Sequence, residues 1–320
     1  MHRIKNLIVA GLIIFTGLAH AQQVGYPIDL SDQYRAGDDF MGIRLLGALE
    51  LKGNNLLSEL SGLAWDEDEG ILIGVTDRGF LLHLKPEIRD GLLTGMELLR
   101  HFPLRNREGK RLSKLDSDAE GLVVIGGNNG RSGDSRLIIS FETRNRIVRF
   151  TPEGILEAEL PLPAPLRARR FYSEPNKGLE AVAMHPSLGL LTGPEISKRS
   201  GPIPIFGAEG RRWYYQPFEL DGAMVALETA PDGDGVLLLE RAYSFPFAPW
   251  VITLSRIHPE VDNGGSLLTA QQLLRFVSNQ GWRIQNFEGL THHRNNRYFM
   301  VSDDGGLVYL QTQLLYFEIQ

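Results

Sequence analysis

The strongest constraint on the fold is an internal repeat that extends through most of the chain. Each copy has a small residue and an apolar pair, then a turn rich in Gly, Pro, Asp and Asn, then a strand ending in a carboxylate. Four copies are clear, at residues 61–79, 118–142, 178–195 and 286–306, and a weaker one lies at 222–240. Such turns between short apolar runs are typical of β-hairpins, and a repeat of this kind indicates a repetitive β-architecture.

Further strands follow most hairpins and complete a four-stranded unit. Third strands are predicted at 80–86, 146–152, 249–259 and 314–319, and fourth strands at 95–104, 154–163, 211–220 and 270–277. The last copy ends after its third strand, and residues 42–51 match the missing fourth strand. We therefore predict an all-β protein, a β-propeller of five four-stranded blades whose ring is closed by the N-terminal strand. A six-bladed ring is the alternative; the repeat argues against a two-sheet sandwich.

The first residues predict export from the cytoplasm. Arg3 and Lys5 precede an apolar run that ends in Ala19-His20-Ala21, which is typical of a cleaved signal peptide. The run is shorter than the roughly 20 apolar residues of a membrane span, and no later segment is long enough. We expect a signal peptide at 1–21, a lead-in at 22–39, a propeller domain at 40–320, cleavage after Ala21, and a periplasmic or secreted protein without an integral membrane segment.

Composition excludes several classes of function. The formal net charge of −6 becomes −8 once Arg3 and Lys5 leave with the signal peptide, so nucleic acid is not an expected partner. Because the chain has no Cys, disulfides, thiolate metal sites and Cys nucleophiles are excluded. The sequence contains no G-x-S-x-G, H-E-x-x-H, Walker or dinucleotide-binding motif.

Carboxylates recur at the ends of the predicted inner strands. In an antiparallel hairpin the start of the first strand and the end of the second lie at the same edge, so these residues are expected on one face of the ring. First-strand acids are Glu120, Glu180 and Glu288, and second-strand acids are Asp77, Glu142, Glu195, Glu240 and Asp303. Ser61 and Gly222 take the place of the first-strand acid in two copies. The alternative is that each acid caps a turn or satisfies buried N–H groups.

Like charges that converge on one face need cations, Arg or Lys partners, or protonation. Asp116, Asp118 and Glu120 are spaced so that their oxygens could surround a hard cation. The candidates for acid–base catalysis are Glu120, Glu180, Glu288 and Asp303. The metal candidates are Asp77, Asp118, Glu142, Glu195, Glu240 and Asp304, and the substrate-binding candidates are Arg78, Arg144, Arg241 and Lys177.

Short motifs in this order resemble a family of secreted bacterial β-propellers called "esterase-like activity of phytase". They include Ser61-Gly62-Leu63 with Asp77-Arg78-Gly79, Asp118 to Leu122 with Glu142, Asn176 to Ala183 with Glu195, and Glu288-Gly289-Leu290 with Ser302 to Gly305. The resemblance covers residues 40–320. It implies hydrolysis of phosphate or related esters, and calcium as the cofactor, as in β-propeller phytases.

The expected function is therefore a metal-assisted hydrolase of a small phosphate or carboxylic ester, with Ca²⁺ as the expected ion. Two alternatives stay open. One is a non-catalytic propeller that binds a ligand or a protein on this face. The other is a lactonase-type hydrolase whose single metal is held by Glu and Asn, for which Asn176 and Asn286 are candidates.

Other features receive structural interpretations. His83, His101, His292 and His293 are predicted to be structural, and His185 is predicted to lie on the surface. Segment 197–213 is either a flap over the acidic face or a solvated insertion. The aromatic run from Tyr243 to Trp250 either contacts a substrate or shields a blade edge.

Overall fold

The structure is a computed structural model that describes residues 21–172, 177–197, 201–243, 249–262 and 264–320. The predicted signal peptide lies outside these residues except for Ala21. Within them there is no α-helix, and short 3₁₀-helices occur at Asn55–Leu57, Lys114–Asp116, Ala164–Arg167, Arg169–Phe171 and Ala208–Gly210. No helix in this part of the chain is long and apolar enough to cross a membrane.

Strands make up nearly all of the regular structure. The first half of the chain forms β1 (Gln22–Pro27), β2 (Asp39–Phe40), β3 (Ile43–Leu51), β4 (Leu60–Asp66), β5 (Ile71–Thr76), β6 (Phe80–Arg89), β7 (Leu92–Pro103), β8 (Ala119–Ile125), β9 (Arg136–Phe141), β10 (Arg146–Phe150) and β11 (Leu156–Leu160). The second half forms β12 (Leu179–His185), β13 (Gly189–Pro194), β14 (Ile203–Phe206), β15 (Arg212–Tyr215), β16 (Ala223–Thr229), β17 (Val236–Ala242), β18 (Val251–Ile257), β19 (Leu267–Leu268), β20 (Gln271–Val277), β21 (Asn286–Arg294), β22 (Arg297–Asp303) and β23 (Thr312–Ile319).

These strands form antiparallel groups, which we number along the chain. Group one is β4–β7, group two is β8–β11, group three is β12–β15, group four is β16, β17, β18 and β20, and group five is β21, β22, β23 and β3. The prediction that the N-terminal strand completes the last group is confirmed, because β3 pairs with β23 from Ile43 to Leu51. Unexpectedly, β1 pairs with both β3 and β7 and so joins the outer edges of groups five and one.

The first strands of the groups contact one another in a closed cycle, β4–β8–β12–β16–β21. Buried apolar residues fill the space between adjacent groups, as in the cluster of Ala181, Trp213 and Leu238 between groups three and four. Comparable clusters lie at each of the other junctions. This radial packing of antiparallel sheets around an axis is the architecture of a β-propeller.

Small residues allow the first strands to approach closely at the axis. A Cβ atom on Gly62 would lie 2.3 Å from the Glu120 carbonyl oxygen, and one on Gly121 would lie 2.5 Å from that of Glu180. The axial cavity, which all five first strands line, therefore has a volume of only about 10 Å³. The centre of the ring is packed, so this cavity is too small for a ligand.

The predicted flap at 197–213 is only partly correct. Residues 203–206 form β14, which pairs with β13 and β15 as the buried third strand of group three, so they cannot cover the face. Ser197 and Gly201 line a cleft on that face, while residues 198–200 are outside the described part of the chain.

Candidate functional site

Strand pairing places the predicted acids at one edge of each group. The start of each first strand pairs with the end of the second strand, as in Ala119 with Phe141 and Leu179 with Pro194. Glu142 and Glu195 directly follow these second strands. Four groups therefore bring carboxylates to the same face of the ring, as the spacing in the sequence predicted.

A β-bulge near the start of every first strand directs one residue toward the axis. The register shifts lie between Leu60 and Gly62, Ala119 and Leu122, Leu179 and Val182, Met224 and Ala226, and Phe287 and Gly289. Bulges commonly re-aim a side chain next to a functional site. Here the residues at the bulges include Ser61, Glu120, Glu180, Val225 and Glu288.

The strand register of group four differs from the one that the sequence repeat predicted. Its bulge residue is Val225, whereas the repeat had aligned Gly222 with this position. In the second strand Met224 pairs with Glu240, so Arg241 occupies the position that Glu142 and Glu195 hold in groups two and three. A shift of one residue moves a side chain to the opposite face of a strand. The expectation that Glu240 joins the acidic face is therefore wrong, and a cation stands in its place.

Two overlapping sets of carboxylates could hold metal ions. One set is Asp77, Asp118 and Glu120, the other is Glu120, Glu142 and Glu180, and in each set one oxygen per residue lies within 4.8 Å of the others. Glu120 belongs to both sets. Sites built only from carboxylate oxygens suit hard cations such as Ca²⁺ and Mg²⁺.

Burial and mutual repulsion raise the pKa values of these acids. Burial, followed by the charges of Glu180 and Asp77, raises the pKa of Glu120 well above its usual range. Burial, followed by the charge of Glu195, does the same to the pKa of Glu180. For Glu142, burial raises the pKa to about 7, although a hydrogen bond from the Gly178 N–H opposes the shift. The protein alone therefore stabilises these negative charges poorly, and a bound cation or protons would relieve the repulsion.

A second network surrounds Arg241 at the same face. Its guanidinium donates to Asn286 Oδ1 at 2.8 Å and to Glu195 Oε1, and it lies 3.3 Å from Glu288 Oε1. Lys177 Nζ also contacts Glu195 Oε1, at 2.9 Å. Glu195 is only 1% exposed, and its other oxygen, Oε2, has no hydrogen-bond partner among the described residues. An unpaired buried carboxylate oxygen is costly, so this atom favours a cation nearby.

Asn286 connects two carboxyl groups of group five. Its Nδ2 donates to Glu288 Oε1 at 2.9 Å and lies 3.4 Å from Asp303 Oδ2. Burial, followed by the charge of Glu288, raises the pKa of Asp303 to about 8. Burial also raises the pKa of Glu288, but the Arg241 guanidinium opposes that shift. Asp303 is therefore held protonated near neutral pH, whereas Glu288 has a cation that favours its charged form.

Other predicted site residues are engaged in local structure. Arg78 contacts Glu59 Oε2 at 2.7 Å, and Arg144 contacts Asp116 at 3.1 Å with its own side chain 68% exposed. Asp304 accepts hydrogen bonds from Ser58 Oγ, the Glu59 N–H, the Gly306 N–H and Thr312 Oγ1. Neither arginine contacts the carboxylate sets, and their predicted role in substrate binding stays a prediction.

His185 and His293 take part in local structure. His293 is buried, and its Nδ1 contacts the Tyr316 hydroxyl at 2.8 Å. His185 is 6% exposed, and its Nδ1 accepts hydrogen bonds from the Ser187 and Leu188 N–H groups, so its prediction as a surface residue is wrong. The turn composition suggested exposure, but the ring itself caps the turn between β12 and β13.

A cleft of about 920 Å³ opens beside the Arg241 network, above groups three and four. Its floor includes Lys177, Glu195 and Arg241, and its rim includes Phe218 and Tyr243. The volume is in the range of small-molecule binding sites. Of the residues that the sequence predicted for the site, Lys177, Glu195 and Arg241 therefore face a space that a ligand could enter.

Sequence reasoning missed two partners of the predicted acids. Ser61 donates to Asp77, and Asn286 links Arg241, Glu288 and Asp303. Asn286 stands two residues before the bulge residue of its group, as Asp118 does in group two. Aligning the five bulge motifs without gaps would have revealed both this position and Val225. Asn176, the other lactonase candidate, lies outside the described residues.

The topology and this face define the class of protein: a β-propeller that carries buried carboxylates and a ligand-sized cleft on one face. A family model described as "Phytase-like: Esterase-like activity of phytase" matches residues 55–306. The chain therefore belongs to that family, and the resemblance seen in the sequence is confirmed.

Comparison with other proteins adds little detail. A search of curated proteins found no match. Among solved structures, one titled "Streptogramin B lyase structure" is 10% identical with a TM-score of 0.37 and covers 85% of this chain and 97% of its own. The β-propeller domain of Cps50 (Swd1) from Myceliophteria thermophila is 12% identical with a TM-score of 0.39 and covers 93% of this chain and 100% of its own. At such low scores, the propeller assignment depends on the sheet topology of this chain.

Proposed function

We propose that this chain is an exported, divalent-cation-dependent hydrolase of phosphate monoesters, built as a propeller of five blades with one blade per strand group. The observation that carries the proposal is the pair of carboxylate sets that share Glu120, next to a cleft with Lys177 and Arg241 on its floor. Family membership supports ester hydrolysis as the reaction class.

The proposed centre uses Asp77, Asp118, Glu120, Glu142 and Glu180 as the residues that would hold Ca²⁺ or a similar ion. The raised pKa values of Asp77, Glu120, Glu142 and Glu180, and the all-oxygen donor set, fit such an ion. When bound, the ion would neutralise charge on the phosphate and lower the pKa of a water molecule. Glu120 and Glu180, first predicted as proton-transfer residues, take a ligand role in this proposal.

The remaining groups supply binding and proton transfer. Lys177 and Arg241 donate to phosphate oxygens at the floor of the cleft. Glu288, beside Arg241, accepts a proton from the attacking water, and Asp303, whose pKa is about 8, gives a proton to the leaving alcohol. Two neighbouring carboxyl groups in different environments are the usual basis for such a division of roles, and here the Arg241 guanidinium opposes the upward pKa shift of Glu288.

The test is phosphate release by mature protein that is first treated with EDTA and then supplied with Ca²⁺, Mg²⁺ or Mn²⁺. We expect activity on an aryl phosphate with at least one of these ions, and at least a hundredfold loss in Glu120→Gln because both carboxylate sets lose a ligand. Glu153→Gln, which changes an exposed turn residue of group two in the same way, is the matched control.

Metal content measured on the same samples separates a ligand role from a proton-transfer role. Glu120→Gln should bind less metal than wild type, whereas Asp303→Asn should retain the metal and lose activity. Unchanged activity in Glu120→Gln would refute the proposed centre. Folded, metal-loaded protein that hydrolyses a carboxylic ester or lactone but no phosphate ester would refute the substrate class, and protein that hydrolyses none of them would favour a non-catalytic binding protein.

Export is part of the proposal and depends on the sequence of residues 1–21 alone. Mass spectrometry of protein recovered from the periplasm or medium should give Gln22 as the N-terminal residue. Retention of residues 1–21 in that protein would refute it.

A further inference from the structure

We propose that the substrate is a monophosphate whose alcohol part is apolar, such as an aryl or alkyl group, and that this part binds against the rim of the cleft above groups three and four. The inference depends on the proposed function, because it specifies the ester that the same site would hydrolyse. It also separates this chain from a polyphosphate hydrolase.

The charges of the cleft suit one phosphate group better than many. Its described lining contains two cations, Lys177 and Arg241, and both contact Glu195 Oε1 at the floor. Two further carboxylates, Glu219 and Asp221, also line the cleft. Among the described lining residues, three carboxylates stand beside two cations, so this part of the cleft offers too few cations to balance a polyol that carries several phosphates.

Large apolar side chains stand exposed on the other part of the lining. Phe218 is 45% exposed, Leu220 is fully exposed at 104%, and Tyr243 is 38% exposed. Tyr243 stacks on Trp250 with ring centroids 4.0 Å apart and an interplanar angle of 11°, which fixes the orientation of its ring. Single exposed apolar residues are ordinary, but three around a ligand-sized cleft are typical of a surface that binds an apolar group.

Local structure holds this apolar rim in position over the cations. The Phe218 and Glu219 N–H groups donate to the two oxygens of Glu240, at 2.9 and 3.0 Å, and Glu240 is itself 1% exposed. Glu219 is paired with Arg275 at 2.7 Å. The loop between β15 and β16 is therefore tied to β17, the strand that carries Arg241. Arg241 and the apolar rim of the cleft are both held in position by β17.

The experiment compares hydrolysis of naphthyl phosphate, glycerol phosphate and phytate by the metal-loaded full-length mature protein. We expect kcat/KM to be highest for naphthyl phosphate, by about tenfold or more over glycerol phosphate. In Phe218→Ala, which keeps the backbone N–H that Glu240 binds, this preference should fall about fivefold. Tyr26→Ala, at an exposed aromatic residue on β1 outside the cleft, is the control and should leave the preference unchanged.

Binding measured by calorimetry with phenylphosphonate and methylphosphonate separates this inference from the proposed function. Tighter binding of phenylphosphonate that Phe218→Ala removes would support the apolar rim even if no ester were hydrolysed, and the failure would then belong to the proposed function. A preference for phytate, or a preference for naphthyl phosphate that Phe218→Ala leaves unchanged, would overturn the inference. Equal affinity for the two phosphonates would overturn it as well.

Discussion

Groups three and four carry opposite charges at the same position of the fold. In each group, the residue before the bulge pairs with a residue of the second strand. The next residue along that second strand is Glu195 in group three and Arg241 in group four. Glu195 contacts Lys177 and Arg241, whereas Glu240, the acid that looks equivalent in the sequence, accepts from the Tyr215 hydroxyl and from the Phe218 and Glu219 N–H groups. One acid thus belongs to the acidic face, and the other holds a loop in place.

The comparison shows why an acid at a strand end does not identify a metal ligand. Both glutamates are 1% exposed and both end a run of apolar residues. They differ in partners, because the oxygens of Glu240 are satisfied by neutral donors while Oε2 of Glu195 has no partner among the described residues. Arg241 also makes the net charge of this face less negative. The bulge residues of groups one and four, Ser61 and Val225, are uncharged.

The largest predicted effect tests the fastening role of Glu240. Glu240→Ala should lower the free energy of unfolding by about 3 to 5 kcal/mol, because it leaves buried hydrogen-bond donors unpaired. Glu180→Gln is the matched substitution in group three, and in EDTA it should be neutral or stabilising because it removes one of several repelling charges. Chemical denaturation of both variants checks the difference in sign. A stable Glu240→Ala would contradict the structural role of Glu240, and a strongly destabilised Glu180→Gln would contradict the repulsion among the acids of the face.

The second prediction concerns the pH dependence of the acidic face without metal. The pKa of Glu142 is raised to about 7 and that of Asp303 to about 8, so the folded protein holds protons that the unfolded chain has released. This stability is complete below the unfolded pKa values near 4 and is lost as the pH rises through 7 and 8. Between pH 5 and pH 8 in EDTA, the free energy of unfolding should therefore fall, and Glu142 alone should contribute about 2 to 3 kcal/mol to the decrease.

Millimolar Ca²⁺ should reduce that slope, since an ion that occupies the carboxylates replaces the protons. Urea denaturation at several pH values, with and without the ion, measures both. Stability that rises between pH 5 and pH 8 in EDTA would show that these carboxyl groups are not the ones that titrate.

The smallest predicted effect distinguishes the two arginines that the sequence treated alike. Arg144 is 68% exposed and paired only with Asp116 in the described structure, so Arg144→Gln should change stability by less than about 0.5 kcal/mol and kcat/KM by less than twofold. Arg241→Gln should reduce kcat/KM more than tenfold, because Arg241 is buried among Glu195, Asn286 and Glu288. Steady-state kinetics of the two variants measures this difference. Equal losses of kcat/KM would support the first prediction that Arg144 also binds the substrate.

The sequence predicted much of the fold because the repeat reflects a physical requirement. Each hairpin needs a turn and an alternating apolar surface, and the ring needs a strand to cover its open edge, which residues 42–51 supply. The convergence of Glu120, Glu180 and Glu288 followed from antiparallel pairing. The role of β1 could not be predicted in this way, because Gln22–Pro27 lies outside the repeat and pairs with distant strands at both of its edges.

The amino-acid sequence by itself determined the architecture and the presence of an acidic face. Hairpin pairing and apolar periodicity are local properties, and they recur in every copy of the repeat. Only the tertiary structure decided which charged residues meet there. Side-chain direction depends on a register that one residue reverses, and register in group four is set by a bulge at Val225 and by neighbours from group three. That single step placed Arg241 among the carboxylates and turned Glu240 toward Tyr215.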